Sequence, residues 1–401
     1  MSRAVDTLRM LGLLSLGLLA SGCVDQTIKS TSIPRVQTLE QELPEGQLLD
    51  VGIVIFDPGL DGDVDEDFLY PEVRRAEARY MPYLLLEAVQ SSAAWGAVRV
   101  VPNDQQAMDL LVSATILKSH GEELQLHVSA RDATGRVWLE KDYENKASKY
   151  SYTRTTRATI DPFQAVYNRI ANDLFETMRQ LTPEQRARVR LVNELRFARA
   201  MSPDAFEGHL SNDGEGNYKI ERLPATDDPM LARVRKIRER DYLFIDTMQE
   251  YYAAFKGQMS VPYQEWRKLS YEEAIALQEL RAESTRRLIA GAAMVIAGVA
   301  ASGSGDSVSR SAGNIAILGG GSIFKSGMDA RLEAEIHVQA LEELGLSLEA
   351  EIAPQIIELE DRTVTLTGSV EDQYQQWREL LRQIYEAEVG ELLPVPSGGE
   401  T

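Results

Sequence analysis

The spacing closest to a metal site in this chain runs from Asp61 to Glu72. Asp61, Asp63, Asp65, Asp67 and Glu72 put carboxylates at the first, third, fifth, seventh and twelfth positions of a calcium-binding loop, with apolar Phe68 at the eighth. Hard oxygen ligands in that order could wrap a calcium ion. The sixth position, where such a loop turns sharply through glycine, is Glu66, and Pro71 stiffens the exit. A solvated acidic loop is therefore the favoured reading, with calcium as the weaker alternative. Other chemistries fail on spacing. His120, His127, His209 and His337 are scattered, with no His-x-x-x-His or Glu-x-x-His pair to start a metal triad. No Gly-x-Ser-x-Gly elbow occurs. In the stretch from Gly319 to Ser326, Phe324 stands where a phosphate-binding loop needs the glycine before its lysine. Glu87, Glu123 and Glu273 are carboxylates that spacing alone cannot bring together as an acid–base pair. These residues predict no catalytic group, no enzyme activity and no cofactor.

One reactive side chain remains, the thiol of Cys23, the only cysteine in 401 residues. Without a second thiol, disulfides and Cys-based zinc sites are excluded. Arg3 and Arg9 precede an apolar run from Leu11 to Ala20, and Ala20-Ser21-Gly22 places small residues just before the cysteine. Residues 1–22 thus read as a secretory signal, too short to stay as a membrane span. The junction resembles the lipobox of bacterial lipoproteins, although Ala20 stands where that family usually has Leu, with Leu18 and Leu19 further back. The resemblance implies that Cys23 is acylated and becomes the new N-terminus. Because Val24 rather than Asp follows the cysteine, it also implies delivery to the periplasmic face of the outer membrane of a Gram-negative bacterium. A triacylated cysteine is a firm anchor, where a single chain holds weakly. The competing reading is an ordinary secreted protein with one thiol, which is more often buried inside a folded domain.

Composition narrows the partners. Asp plus Glu number 62 against 42 Lys plus Arg, a net charge of −20. That balance argues against nucleic acid and against broad electrostatic adhesion to anionic lipid, so membrane attachment has to come from apolar groups. With 44% hydrophobic residues the chain can build two or three cored domains. The expected partners are the membrane through Cys23 and a periplasmic or envelope protein, with self-association left open.

Residues 23–48 are polar and interrupted by Pro34, Pro44 and Gly46, as a lipidated tether would be. Residues 49–181 carry β-type runs at Val51–Phe56, Val98–Val101, Leu110–Leu117, Leu124–Arg131 and Val137–Tyr143, with a helix over Arg74–Gln90 between the first two. Gly121-Glu122 and Thr134-Gly135 sit where hairpin turns would make the last three strands an antiparallel meander. Asp161-Pro162, with Gln164, reads as the cap of a closing helix that runs to about Leu181. The expected class is α+β, opening with a small β-α-β-β-β sandwich. The run from Asp109 to Ile116 (DLLVSATI), that from Leu124 to Gly135 (LQLHVSARDATG) and the helix segment from Ile170 to Leu174 (IANDL) resemble a small domain of envelope accessory proteins. Examples are the N-terminal domain of the Tol-system propeller protein and the curli-export lipoprotein. The resemblance implies a docking or assembly role and supplies no catalytic residue.

Residues 182–287 read as helical, with starts at Thr182-Pro183 with Gln185, Ser202-Pro203, Asp228-Pro229, and Ser270 with Glu273. The helix from Pro229 is expected to end near Phe255 and another to begin at Tyr271. Residues 288–325 then form two glycine-rich apolar arms, Leu288–Ala301 and Ala312–Phe324, around a polar turn, which predicts an αα-hairpin. An arm of about 14 residues spans about 21 Å as a helix, short of the roughly 30 Å hydrocarbon core. Gly291 and Gly298 share one side and permit close approach. With Ile296, Ile317 and Phe324 they are the candidate residues for membrane or partner contact. Residues 326–390 read as a helix followed by a small β-hairpin and helix, and residues 391–401 as a disordered tail. The run Val364–Val370 resembles, at low specificity, the envelope domain named for osmotic-shock proteins and nodulation, which is associated with membrane binding. The function expected is a non-enzymatic, outer-membrane-anchored docking, assembly or transport accessory factor. The alternative is a pore or export component that inserts and oligomerises through residues 288–325.

Overall fold

Val51 and Ile53 are wholly buried, and a short β-branched run of that kind belongs at the centre of a sheet with parallel neighbours on both sides. β1 (Val51–Val54) accordingly lies between β2 (Val98–Val101) and β3 (Leu110–Ser119), parallel to both, with Val51 opposite Val98 on one side and Leu110 on the other. β3, β4 (Glu123–Asp132) and β5 (Val137–Lys146) form an antiparallel meander, so the five-stranded order is β2-β1-β3-β4-β5. Leu110, Val112, Ala114 and Ile116 alternate inward along β3, the period-two pattern of a half-buried strand. Gly135 turns β4 into β5 at φ +96, a left-handed conformation open to glycine.

The computed structural model describes residues 33–61, 70–104, 107–153, 160–300, 338, 342–343, 355–358 and 363–390. All of them belong to one compact unit.

α1 (Pro71–Gln90) joins β1 to β2, with Pro71 in its first turn, where a missing N–H costs nothing. α2 (Gln164–Arg179) packs on α1 and on β5. Its start corrects the sequence expectation: the N-cap is Phe163, with no side-chain cap. Asp161 instead accepts the Phe163 N–H at 2.8 Å before the helix begins, and its other oxygen takes the Gln264 amide at 3.1 Å. A local N–H and a tertiary partner thus share the carboxylate that the spacing assigned to a helix cap. α3 (Pro183–Met201) does start with the expected reciprocal box, the Thr182 N–H donating to Gln185 Oε1 and the Gln185 N–H to Thr182 Oγ1. A single helical turn, Pro203–Phe206, leads to the two-stranded pair β6 (Leu210–Asn212) and β7 (Tyr218–Ile220).

The larger correction is α4, an unbroken helix over Pro229–Ala300. The break expected between Phe255 and Tyr271 does not occur. Met259, Tyr263, Trp266, Arg267 and Leu269 are buried across that interval, and tertiary packing outweighs the backbone bond that Pro262 forfeits. Ser270, expected as an N-cap, lies within the helix, and its hydroxyl accepts the Gly121 N–H at 3.1 Å. At 72 residues an α-helix is about 108 Å long. Its first arm residues, Leu288–Ala300, are helical as expected; the turn after them and the second arm, Ala312–Phe324, lie outside the described residues.

α4 also closes one edge of the sheet. The side-chain amide of Gln249 accepts the Val100 N–H at 2.8 Å and donates to the Val100 carbonyl at 2.9 Å, standing in for a neighbouring strand along β2. β8 (Gln355–Glu358) and β9 (Thr363–Leu366) pair antiparallel, followed by α5 (Val370–Gly390). α5 docks on α4 through Trp377, whose ring stacks on Phe244 at 4.7 Å and whose N–H donates to Asp241 at 3.1 Å.

Candidate functional site

The residues singled out by the sequence are not drawn into one site among the described residues. Cys23, Asp63, Asp65, Asp67, Ile317 and Phe324 lie outside them. Asp61 is exposed in a bend, and Glu72 is in the first turn of α1. Gly291, Ile296 and Gly298 belong to the helical backbone of α4. Among the described residues no group of His, Cys, Asp and Glu is arranged to hold a metal ion, and no helix is long and apolar enough to cross a membrane. Of the histidines, His120 and His209 are buried and His127 pairs with Asp142 at 2.7 Å; His337 is outside the described residues.

The fold instead assembles a polar pocket of about 360 Å³ where α3 and α4 meet the starts of β1 and β3. The β1–β3 register pairs Val51 with Leu110, so the preceding residues, Asp50 and Asp109, are neighbours. Asp109 accepts the Asp50 N–H at 2.9 Å and the Asn193 amide of α3 at 2.7 Å. Burial pushes the Asp109 carboxyl above the ordinary aspartate range, against the pull of those two donors. Asp50 accepts the Ala97 N–H at 2.8 Å and lies 4.0 Å from Arg99, which forks onto Asp246 of α4 at 2.6 and 3.0 Å. Arg99 also lies over the Tyr242 ring at 4.7 Å. The Tyr242 hydroxyl receives the Arg238 guanidinium, at 2.9 Å from Nε, and burial raises its pKa to about 12. Glu194 and Arg235 close the rim as a bidentate pair at 2.5 and 3.2 Å.

A carboxyl with a raised pKa can in principle move a proton. Both oxygens of Asp109, however, are occupied by protein donors that tie α3 to the sheet. The arrangement fastens helices to strand ends and leaves a charged rim outward.

A second, wholly internal network fixes α4 to the opposite region of the sheet. Glu77 of α1 accepts the Ser119 hydroxyl at 2.5 Å and the Tyr263 hydroxyl, and stands 3.8 Å from both Arg74 and Arg267. Asp161 lies 3.7 Å from Arg267 on its other side. Arg267 and Glu77 are fully buried. Burial works against the Arg267 charge, but Tyr263, Asp161, Tyr167 and Glu77 around it raise its pKa above the usual value. Arg74 is held below its usual value by burial, which Glu77 offsets only in part. Beside this network Gly121 touches α4, its N–H on Ser270 and its carbonyl receiving the Tyr152 hydroxyl. Sequence reading missed Glu77 and Arg267; the available signal was an arginine next to Trp266 within the run Met259, Tyr263, Trp266 and Leu269.

No known protein family model matches the chain, and no curated protein matches it. Among solved structures, a dodecamer of a PelC variant from Paraburkholderia phytofirmans aligns at 10% identity and a TM-score of 0.23, over 36% of this chain and 94% of that one.

Proposed function

We propose that this protein is a non-enzymatic lipoprotein, held by an acylated Cys23 at the periplasmic face of the outer membrane, that docks an envelope partner. The observation that carries the reading is the continuity of α4. One helix is fastened to the sheet through Gln249, Asp246 and Ser270 and to α1 through Arg267, and continues without a break into the apolar, glycine-bearing run Leu288–Ala300. A rigid element rooted in a folded unit and continuing into small apolar residues suits the presentation of a contact surface. The interlocked polar groups around Asp109 add to this reading, since they serve structure first.

The second reading, insertion of residues 288–325 into a bilayer as part of a pore, draws on the same apolar continuation of α4. Full-length protein, Cys23→Ala, and a variant lacking residues 288–325 are compared from detergent-solubilised envelopes. Docking predicts partners that co-purify with the first two and are lost with the deletion. Flotation of Cys23→Ala with liposomes, abolished by the deletion, would favour insertion; co-purification unchanged by the deletion would refute the docking role of this segment. Mass spectrometry finding an unacylated N-terminus would refute the anchor.

A further inference from the structure

Ala107 lines a second pocket, of about 330 Å³. Its carbonyl lies 3.5 Å from Arg238 and Tyr242, which face the first pocket. The second is lined by Arg196, Phe197, Arg199, Tyr218 and Arg378 together with Ala107 and Ala200. Three arginines therefore line one pocket in a chain whose net charge is −20, and no lining residue is acidic.

Their existing partners leave charge uncompensated. Arg196 donates to the Ala133 carbonyl at 3.1 Å and lies over the Tyr218 ring at 4.5 Å. Arg199, one turn further along α3, lies over the same ring at 5.4 Å and makes no hydrogen bond or ion pair among the described residues. Arg378 of α5 lies over Phe197 at 5.4 Å and reaches Asp241 at 3.3 Å. Among the described residues Asp241 is the one carboxylate in contact with any of the three, so the pocket keeps about two positive charges. The aromatic rings hold the guanidiniums in place without neutralising them.

We propose that this pocket binds a phosphate monoester. Such a group carries about −1.5 to −2 charges at neutral pH and three acceptor oxygens, which matches the uncompensated charge and the number of guanidiniums. Planar forked donors suit tetrahedral oxyanions, and arginine is the residue that recognises phosphate in this way. Arg196 and Arg199, three apart on α3, approach from one side and Arg378 of α5 from another. The ester could be a soluble metabolite or the headgroup of a lipid, since both present the same chemistry.

The test uses the full chain with Cys23→Ala, titrated calorimetrically at fixed ionic strength with glycerol 3-phosphate and with inorganic phosphate. Saturable binding is expected, weakened at least about tenfold by Arg199→Gln and abolished by the Arg196→Gln, Arg199→Gln pair. Because Arg199 has no other polar partner among the described residues, its variant should unfold at the same urea midpoint as the parent. Flotation with phosphatidic acid vesicles against phosphatidylcholine vesicles separates the sources. Arg199-dependent recruitment identifies a headgroup, and ester binding without recruitment identifies a soluble ligand. Absence of saturable binding to any phosphate source, or binding that Arg199→Gln leaves unchanged, overturns the proposal.

Discussion

Replacing Gly121 by alanine tests the seam between the β3–β4 turn and α4. A Cβ at this position would lie 2.0 Å from the Arg267 carbonyl oxygen, 2.2 Å from the Tyr271 nitrogen and 2.7 Å from the Tyr271 Cα. Ordinary contacts are near 3.5 Å, so turn and helix must part by about 1 Å or more. All three obstacles are backbone atoms of α4, and no rotamer change can relieve them. Parting stretches the 3.1 Å bond from the Gly121 N–H to Ser270. One buried hydrogen bond at about 1 kcal/mol and an overpacking cost of about 1–3 kcal/mol sum to roughly 2–4 kcal/mol. Urea unfolding of the full chain, followed by tryptophan fluorescence, measures the loss. Ser270→Ala is the control, removing one acceptor without a clash, and should cost about 1–2 kcal/mol. A Gly121→Ala protein within about 1 kcal/mol of the parent, at an unchanged denaturant slope, would refute the close approach and with it the fastening of α4 at this point.

Two further outcomes follow from buried charge. Glu77→Gln removes the carboxylate beside Arg74 and leaves Arg267 with Asp161 alone, and should cost about 3 kcal/mol or more by the same urea measurement; a change under about 0.5 kcal/mol, the size of ordinary surface substitutions, would show that the network is not charge-balanced as described. Burial raises the Asp241 carboxyl above its usual value despite Arg378 and Trp377, so the folded protein holds this proton more tightly than the unfolded chain does. Its contribution therefore favours folding at low pH and is lost as pH rises from the ordinary aspartate range through the folded-state value. Asp241→Asn should flatten the fall of the urea midpoint with rising pH across that window, and an unchanged slope would refute the assignment.

Local signals in the sequence were faithful where the structure is local. The β3–β4–β5 meander follows from alternation and from two turn dipeptides, and the Thr182–Gln185 box needs only four consecutive residues. The parallel placement of β1 between β2 and β3 was not legible, because it depends on pairing across the whole of α1 and the loop before Leu110. Ser270 with Glu273 has the spacing of a helix start, yet Gly121, far away in sequence, claims the hydroxyl. Asp161 is likewise not the N-cap of α2, its carboxylate being shared between the Phe163 N–H and the distant Gln264 and Arg267. The start signal at Ser270 with Glu273 suggested an interruption after Phe255, which the buried stripe from Met259 to Leu269 overrides. Sites suffered most. Asp109, Arg199 and Arg378 are ordinary surface-type residues in one dimension, and only the meeting of α3, α4 and α5 makes them neighbours.

The absence of any joint along α4 has a mechanical consequence. Ala274 is the last of its fully buried side chains among the described residues, and the helix continues from there to Ala300. That length is about 39 Å at the α-helical rise, so a tilt of about 5° at the root sweeps Ala300 through about 3 Å. A pull or twist applied over Leu288–Ala300 would therefore reach Arg267 and the turn at Gly121 with no break in the helix between them.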